Sequence, residues 1–218
     1  MLSVVCVQTG NYLGRGVEYV ANLHRMVSEH LSLPHRFYVL TDDAASNYPG
    51  VVAKPAKHKG WWAKIEMFNP HGMFRGRVMF LDLDTLIVGN IDHIAAYRGH
   101  FATLRDFWQP RGLGPAVMLF DAEWAAWIYQ EWRAEGFPQR DPRGDQGWLE
   151  NRRQGRMRHD VDILQDMHPG EFVSYKTSCT QALPEGARVC CFHGKPRPHE
   201  VGGWALDYWK GSASLQAA

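Results

Sequence analysis

Two kinds of hydrophobic pattern alternate along the first third of the chain. Ser3 to Val7 is a short apolar run ending in Gln8-Thr9-Gly10-Asn11, after which Val17, Val20, Leu23 and Val27 recur at helical spacing. Such a run bounded by turn residues predicts a buried strand, and the recurrence predicts a helix packed by one face. A second run, Phe37 to Leu40, stops at Thr41-Asp42-Asp43, and Val51-Val52-Ala53 offers a third strand. Strands alternating with helices imply an α/β unit with a parallel sheet.

Trp61 to Phe68 has helical character, and Arg77 to Leu81 is a dense apolar strand running straight into Asp82-Leu83-Asp84. A buried strand that ends in acid is the pattern of a site at a sheet's carboxyl edge. Further strands are predicted over Thr85 to Val88, Phe101 to Leu104 and Ala116 to Phe120, with a turn at Gly89-Asn90. Ala122 to Ala134 reads as a helix packed through Trp124, Trp127 and Trp132. Gly136 to Gly144 is a Pro/Gly surface loop, and Asp145-Gln146 opens the next helix, where the bland alternative for Asp145 is an N-cap. The expectation is one domain over residues 1–210 and a disordered tail over 211–218.

Composition narrows the class. With 218 residues, 45% hydrophobic and 22% charged, the chain can bury one large core. A formal net charge of +1 gives no electrostatic footprint for nucleic acid or an anionic membrane. No run reaches the roughly 18 apolar residues of an integral membrane segment. Met1 to Val7 lacks the basic start of a signal peptide, so cytoplasmic residence is expected. Cys6, Cys179, Cys190 and Cys191 are too irregularly spaced for a disulfide framework or a zinc site, and are expected as buried free thiols.

The chemistry gathers in a few segments. Asp82 and Asp84, two apart in extended geometry, point to one side and can share Mg²⁺ or Mn²⁺. Such an ion would bridge a nucleotide diphosphate and neutralise charge as a sugar leaves. An isolated D-x-D also suits a strand-end turn with solvated aspartates. The second segment, Cys191-Phe192-His193-Gly194-Lys195-Pro196-Arg197-Pro198, combines an imidazole, a close-approach glycine and two cations. His193 can complete the metal shell while Lys195 offers a point charge to the diphosphate; the alternative is a proline-rich loop with a packed histidine. Thr9, Gly10, Asn11 and Tyr12 follow the first strand, where Tyr12 either stacks on a base or packs. Lys64 either faces the diphosphate or is exposed. Asp106, Asp145 and Gln146 remain to hold the transferred sugar, and Trp61, Trp62, Trp108 and Trp204 are either ring-stacking or packing residues.

Taken in order, these segments resemble the retaining GT-A glycosyltransferases of family eight, the group that contains glycogenin and the bacterial lipopolysaccharide galactosyltransferases. The resemblance runs through Thr9 and Tyr12, then Lys64-Ile65-Glu66-Met67-Phe68, then Phe80-Leu81-Asp82-Leu83-Asp84-Thr85-Leu86, then Asp145-Gln146 and His193-Gly194-Lys195-Pro196. It implies a single GT-A, Rossmann-like α/β domain with a mixed, mainly parallel sheet flanked by helices. It implies a metal-dependent hexosyltransferase whose donor is a nucleotide sugar, UDP-glucose or UDP-galactose, with retention at the anomeric carbon. Asp82, Asp84 and His193 would be the Mn²⁺ or Mg²⁺ ligands. Thr9, Asn11, Tyr12, Lys64, Leu83, Gly194 and Lys195 would contact the donor, and Asp106, Asp145, Gln146 and Lys195 would serve catalysis. The acceptor would be a saccharide, lipid-linked or protein group.

Two departures from the family pattern bear on this. Leu113-Gly114-Pro115-Ala116 replaces an N-S-G, and the closing loop is shortened, which makes Arg197 an alternative to Lys195. Two rival readings also stand. A haloacid-dehalogenase-type phosphohydrolase uses D-x-D-G-T at a strand end, but here Thr85 follows Asp84 with no glycine between. The other is a non-catalytic nucleotide-sugar-binding module.

Overall fold

A computed structural model describes residues 1–43, 45–71, 74–153 and 160–211, so the expected tail beyond Gly211 lies outside the described residues. Seven strands form the main sheet: β1 (Leu2–Gln8), β2 (His35–Thr41), β3 (Val52–Pro55), β4 (Arg77–Leu81), β6 (Phe101–Arg105), β7 (Leu113–Asp121) and β8 (Val161–Ile163). Their order is β3-β2-β1-β4-β7-β6-β8. The pairs β2/β3, β1/β2, β1/β4 and β6/β8 are parallel, and β7 runs antiparallel to both β4 and β6. A second sheet, β5 (Thr85–Ile87), β10 (Val189–Cys191) and β9 (Phe172–Ser174), branches from the end of β4.

The helices are α1 (Gly16–His30), α2 (Asp92–Ala95), α3 (Ala122–Ala134), α4 (Gly144–Arg153), α5 (Leu164–Met167), α6 (Tyr175–Ser178) and α7 (Gly203–Lys210). Strand alternation divides the core between the two faces of the sheet. Val4 and Cys6, Met79 and Leu81, Val117 and Leu119 pack with α1 on one face. Val5, Val78, Phe80, Met118 and Phe120 pack with α3 and the 60–68 segment on the other. Successive side chains point to opposite faces, so strands covered on both sides must be apolar throughout.

Three local expectations change. Val17 is on the exposed side of α1, whose buried face is Tyr19, Val20, Leu23, Met26 and Val27. Gly60–Phe68 winds as a 3-10 helix. The third strand begins at Val52 and extends to Pro55. The four cysteines are buried and free, as their spacing implied.

Candidate active site

The first loop of the site is fixed from beneath by a buried amide. Gln8, at the end of β1, accepts from the Thr41 hydroxyl (2.9 Å) and the Tyr48 hydroxyl (2.6 Å), and donates to Gly10 O (2.8 Å). Gly16 is needed at the start of α1 because a Cβ there would come within 2.5 Å of the Gln8 side chain. The Gly10 N–H donates to Asp42 Oδ1 (2.9 Å), and Thr9 Oγ1 accepts from Gly60 N (2.7 Å), which ties this loop to the 3-10 segment.

Asp82 and Asp84 lie in the turn that joins β4 to β5, not in extended chain: Thr85 N donates to Asp82 O at 3.1 Å. The turn, rather than strand periodicity, aims both carboxylates into one cavity. Each carboxylate already faces a cation. Asp82 Oδ1 is 2.8 Å from Lys64 Nζ, and Asp84 Oδ2 is 2.5 Å from Arg197 Nη1. Burial, with the charge of Asp82, pushes the Asp84 carboxyl up to about 7 against the pull of Arg197 and Lys64.

Lys64 is buried, so the reading of it as an exposed helix lysine does not hold. Burial opposes its charge, but Asp145 and Asp82 outweigh that and hold the ammonium above its usual value. Asp145 is not an N-cap. It sits inside the first turn of α4, nearly fully buried, with Oδ2 3.6 Å from Lys64 Nζ and no hydrogen-bond partner for that oxygen among the described residues. Burial raises its carboxyl to about 6, partly offset by Lys64. Gln146, its neighbour, donates to Asp106 Oδ2 at 2.7 Å, while Asp106 Oδ1 accepts from Trp108 N at the same distance.

A cavity of about 610 Å³ opens at the carboxyl ends of β1, β4, β6 and β10. Among the residues predicted for the site, Thr9, Tyr12, Lys64, Asp82, Leu83, Asp84, Asp106, Asp145, Gln146, His193 and Gly194 line it. Asn11 and Lys195 do not; both are exposed outside it, and Arg197 takes the place in the cavity expected for Lys195. Arg197 also donates to the Tyr12 hydroxyl at 2.9 Å, and Tyr12 packs edge-on against Tyr19. Tyr12 is therefore a packed wall of the cavity.

His193 is held by ring packing against Phe107 and by Lys176 donating to its carbonyl oxygen. Among the described residues its buried Nε2 has no hydrogen-bond partner. Two carboxylates and an imidazole are a donor set that suits Mn²⁺, with the carboxylates alone suiting Mg²⁺, and all three residues line the same cavity. Among the described residues these three ligand groups do not converge to within 4.8 Å of one another, and Lys64 and Arg197 lie against the two carboxylates.

Of the four tryptophans weighed for ring stacking, Trp61 and Trp108 line the cavity with 60% of their surface exposed. Trp62 is buried in the core and Trp204 donates to Cys179 O, so both are packing residues.

No protein-family model matches the chain, and no curated protein matches it. Solved structures do. The glycosyltransferase GlyE of Streptococcus pneumoniae TIGR4 matches with a TM-score of 0.69 at 15% identity, over 97% of this chain and 60% of GlyE. The galactosyltransferase LgtC, in complex with donor and acceptor sugar analogues, matches with a TM-score of 0.64 at 13% identity, over 99% of this chain and 97% of LgtC. An active-site mutant of LgtC gives 0.66 at 14%, with the same coverage. The chain has the fold of the GT-A glycosyltransferases.

In that GT-A fold the cavity occupies the edge where β1 and β4 lie side by side, the position at which open α/β sheets bind ligands. The chain spans 60% of the length of GlyE. Sequence reasoning missed Gln8 as the anchor of the first loop, because a polar residue closing an apolar run reads as the run's end. It also missed Glu66, which is buried and accepts from Lys57 N (2.9 Å) and His58 N (2.6 Å), fixing the approach to the 3-10 segment. Its place at the centre of the Lys64–Phe68 motif was the available signal.

Proposed function

We propose that the chain is a family-eight-like, metal-dependent glycosyltransferase that moves a hexose from a nucleotide diphosphate sugar to an acceptor. The observation that carries this reading is one cavity lined by Asp82, Asp84 and His193, whose Nε2 has no hydrogen-bond partner among the described residues, with Lys64 and Arg197 beside the two carboxylates. Asp82, Asp84 and His193 would hold Mn²⁺ or Mg²⁺, which supplies positive charge to the departing diphosphate.

The protein's own groups do the rest. Arg197, a planar donor already inside the cavity, is the diphosphate contact in place of Lys195. Lys64 keeps Asp82 and Asp145 from repelling one another across a buried space. Gln146 and Asp106 present a coupled amide and carboxylate for sugar hydroxyls. The exposed faces of Trp61 and Trp108 offer apolar surface for a saccharide acceptor. Transfer with retention is part of the proposal. Asp145 is buried and paired with Lys64, a poor position for a nucleophile, so we favour a front-face reaction without a covalent intermediate. UDP-glucose and UDP-galactose are the donors expected from the resemblance. The phosphohydrolase reading is not favoured, because Asp82 is engaged by Lys64 and the fold is that of glycosyltransferases.

Calorimetry of UDP in the presence and absence of Mn²⁺ tests the proposal. Binding should require the metal in the native protein and be lost in Asp84→Asn. Equal UDP binding by that variant would reject the metal assignment.

A further inference from the structure

We propose that His93, His168 and Glu171 form a binding site for a Zn²⁺-class transition-metal cation, at the edge of the small sheet opposite the cavity. Among the described residues they are the one group of three potential ligands whose donor atoms all lie within 4.8 Å of one another. His168 and Glu171 lie three residues apart in the turn between α5 and β9, where Glu171 N donates to His168 O (3.3 Å), and His93 comes from α2. Chain folding brings His93 to that turn.

The arrangement is partly built. His93 Nε2 lies 2.6 Å from Glu171 Oε2, and the His93 and His168 rings meet edge to face with centroids 5.1 Å apart. The backbone beneath is fixed. Glu171 O accepts from Arg188 N (2.8 Å) and Val189 N (2.9 Å), His168 N donates to Leu164 O (2.9 Å), and the His168 ring packs on Phe172. Metal–ligand bonds of about 2.0–2.1 Å in a tetrahedron set donor atoms about 3.4 Å apart, and the donor atoms here lie within 4.8 Å of one another, with one pair at 2.6 Å. The ion would take the place of the hydrogen now shared by His93 and Glu171.

The ligand chemistry selects the ion. Two imidazole nitrogens and one carboxylate suit Zn²⁺ and its neighbours, with a fourth position left for water, whereas Mg²⁺ and Ca²⁺ favour an all-oxygen shell. The site is separate from the transferase site. Glu171 precedes β9 and lies beside the start of β10, while His193 follows the end of β10. An ion here would join α2 to the chain entering β9 and touch none of the cavity-lining residues.

Titration of the chelator-stripped full chain with Zn²⁺ by calorimetry is the test, run in an Asp82→Asn, Asp84→Asn background so that the cavity carboxylates contribute nothing. One Zn²⁺ per chain is expected there. His93→Gln and Glu171→Gln should each weaken it by more than the roughly tenfold that even an outer-shell partner is worth. Co²⁺ substituted for Zn²⁺ should show visible absorption of a four-coordinate site that His93→Gln abolishes. Absence of Zn²⁺ binding in the doubly substituted background, or an affinity unchanged by His93→Gln, overturns the proposal. Should Glu171→Gln fail to fold, His93→Gln decides, because the His93 ring is exposed. The outcome is independent of UDP binding, which tests the transferase reading.

Discussion

Arg197 bridges Asp84 and Tyr12, its Nη1 2.5 Å from the carboxylate and 2.9 Å from the phenol oxygen. The closing loop and the first-strand loop therefore meet over the second aspartate of the pair. A metal ion at Asp84 must compete with this guanidinium, and a diphosphate would release it to a new partner. A charge-assisted hydrogen bond contributes about 1.5–3 kcal/mol, roughly 10- to 100-fold in affinity. Arg197→Ala should therefore weaken Mn²⁺-dependent UDP binding by about that factor, measured by calorimetry. Lys195→Ala, outside the cavity, should leave it within about twofold.

Asp145 makes stability depend on pH in a direction unusual for a carboxylate. Its folded-state value, about 6, lies above the ordinary 3.8, so the folded protein holds its proton more tightly than the unfolded chain does. Its contribution is fully present below about 3.8 and is lost as pH rises through about 6. Asp145→Asn removes the ionisation. Thermal melts at pH 4.5 and 7.5 should show the variant gaining on the native protein at the higher pH, by on the order of 2 kcal/mol. A difference between the two proteins that does not vary with pH would contradict this.

Gln146 and Asp106 act as a pair, joined at 2.7 Å. If the pair contacts the sugar as proposed, cutting that bond with Gln146→Ala should lower turnover of a UDP-sugar by about tenfold or more while UDP itself binds within about twofold. Comparing calorimetry with UDP against initial rates with UDP-glucose and UDP-galactose separates the two effects.

Trp108 supports little of the fold, being 60% exposed. Trp108→Ala should leave thermal stability within about 0.5 kcal/mol. Loss of an aromatic face worth about 0.5–1.5 kcal/mol should weaken saccharide binding by roughly 2- to 10-fold, seen as a rise in acceptor KM. Trp61 is a less clean test. It covers Gly144, where a Cβ would approach the Trp61 ring to 2.5 Å, so replacing it also disturbs the start of α4.

Much of the framework was legible in the order of residues. β1, β2 and β4 are near-continuous apolar runs because parallel strands are covered on both faces, and that demand is visible in one dimension. Asp82, Asp84 and His193 could be picked out because they follow apolar strands, and Lys64 and Asp145-Gln146 because of their place in the ordered motifs of the resemblance; the structure brings all of them to one cavity.

What the sequence could not decide were pairings across long separations. That Lys64 is buried between Asp82 and Asp145, and that Arg197 reaches Asp84 in place of Lys195, depends on which residue of a short loop points inward. The same holds for Gln8, whose partners Thr41 and Tyr48 lie 33 and 40 residues away. Local patterning fixes strand and helix because each residue's face follows from its neighbours. The charge state and company of a buried polar group follow from desolvation and from contacts that close only when distant strands are side by side, and those belong to the tertiary structure.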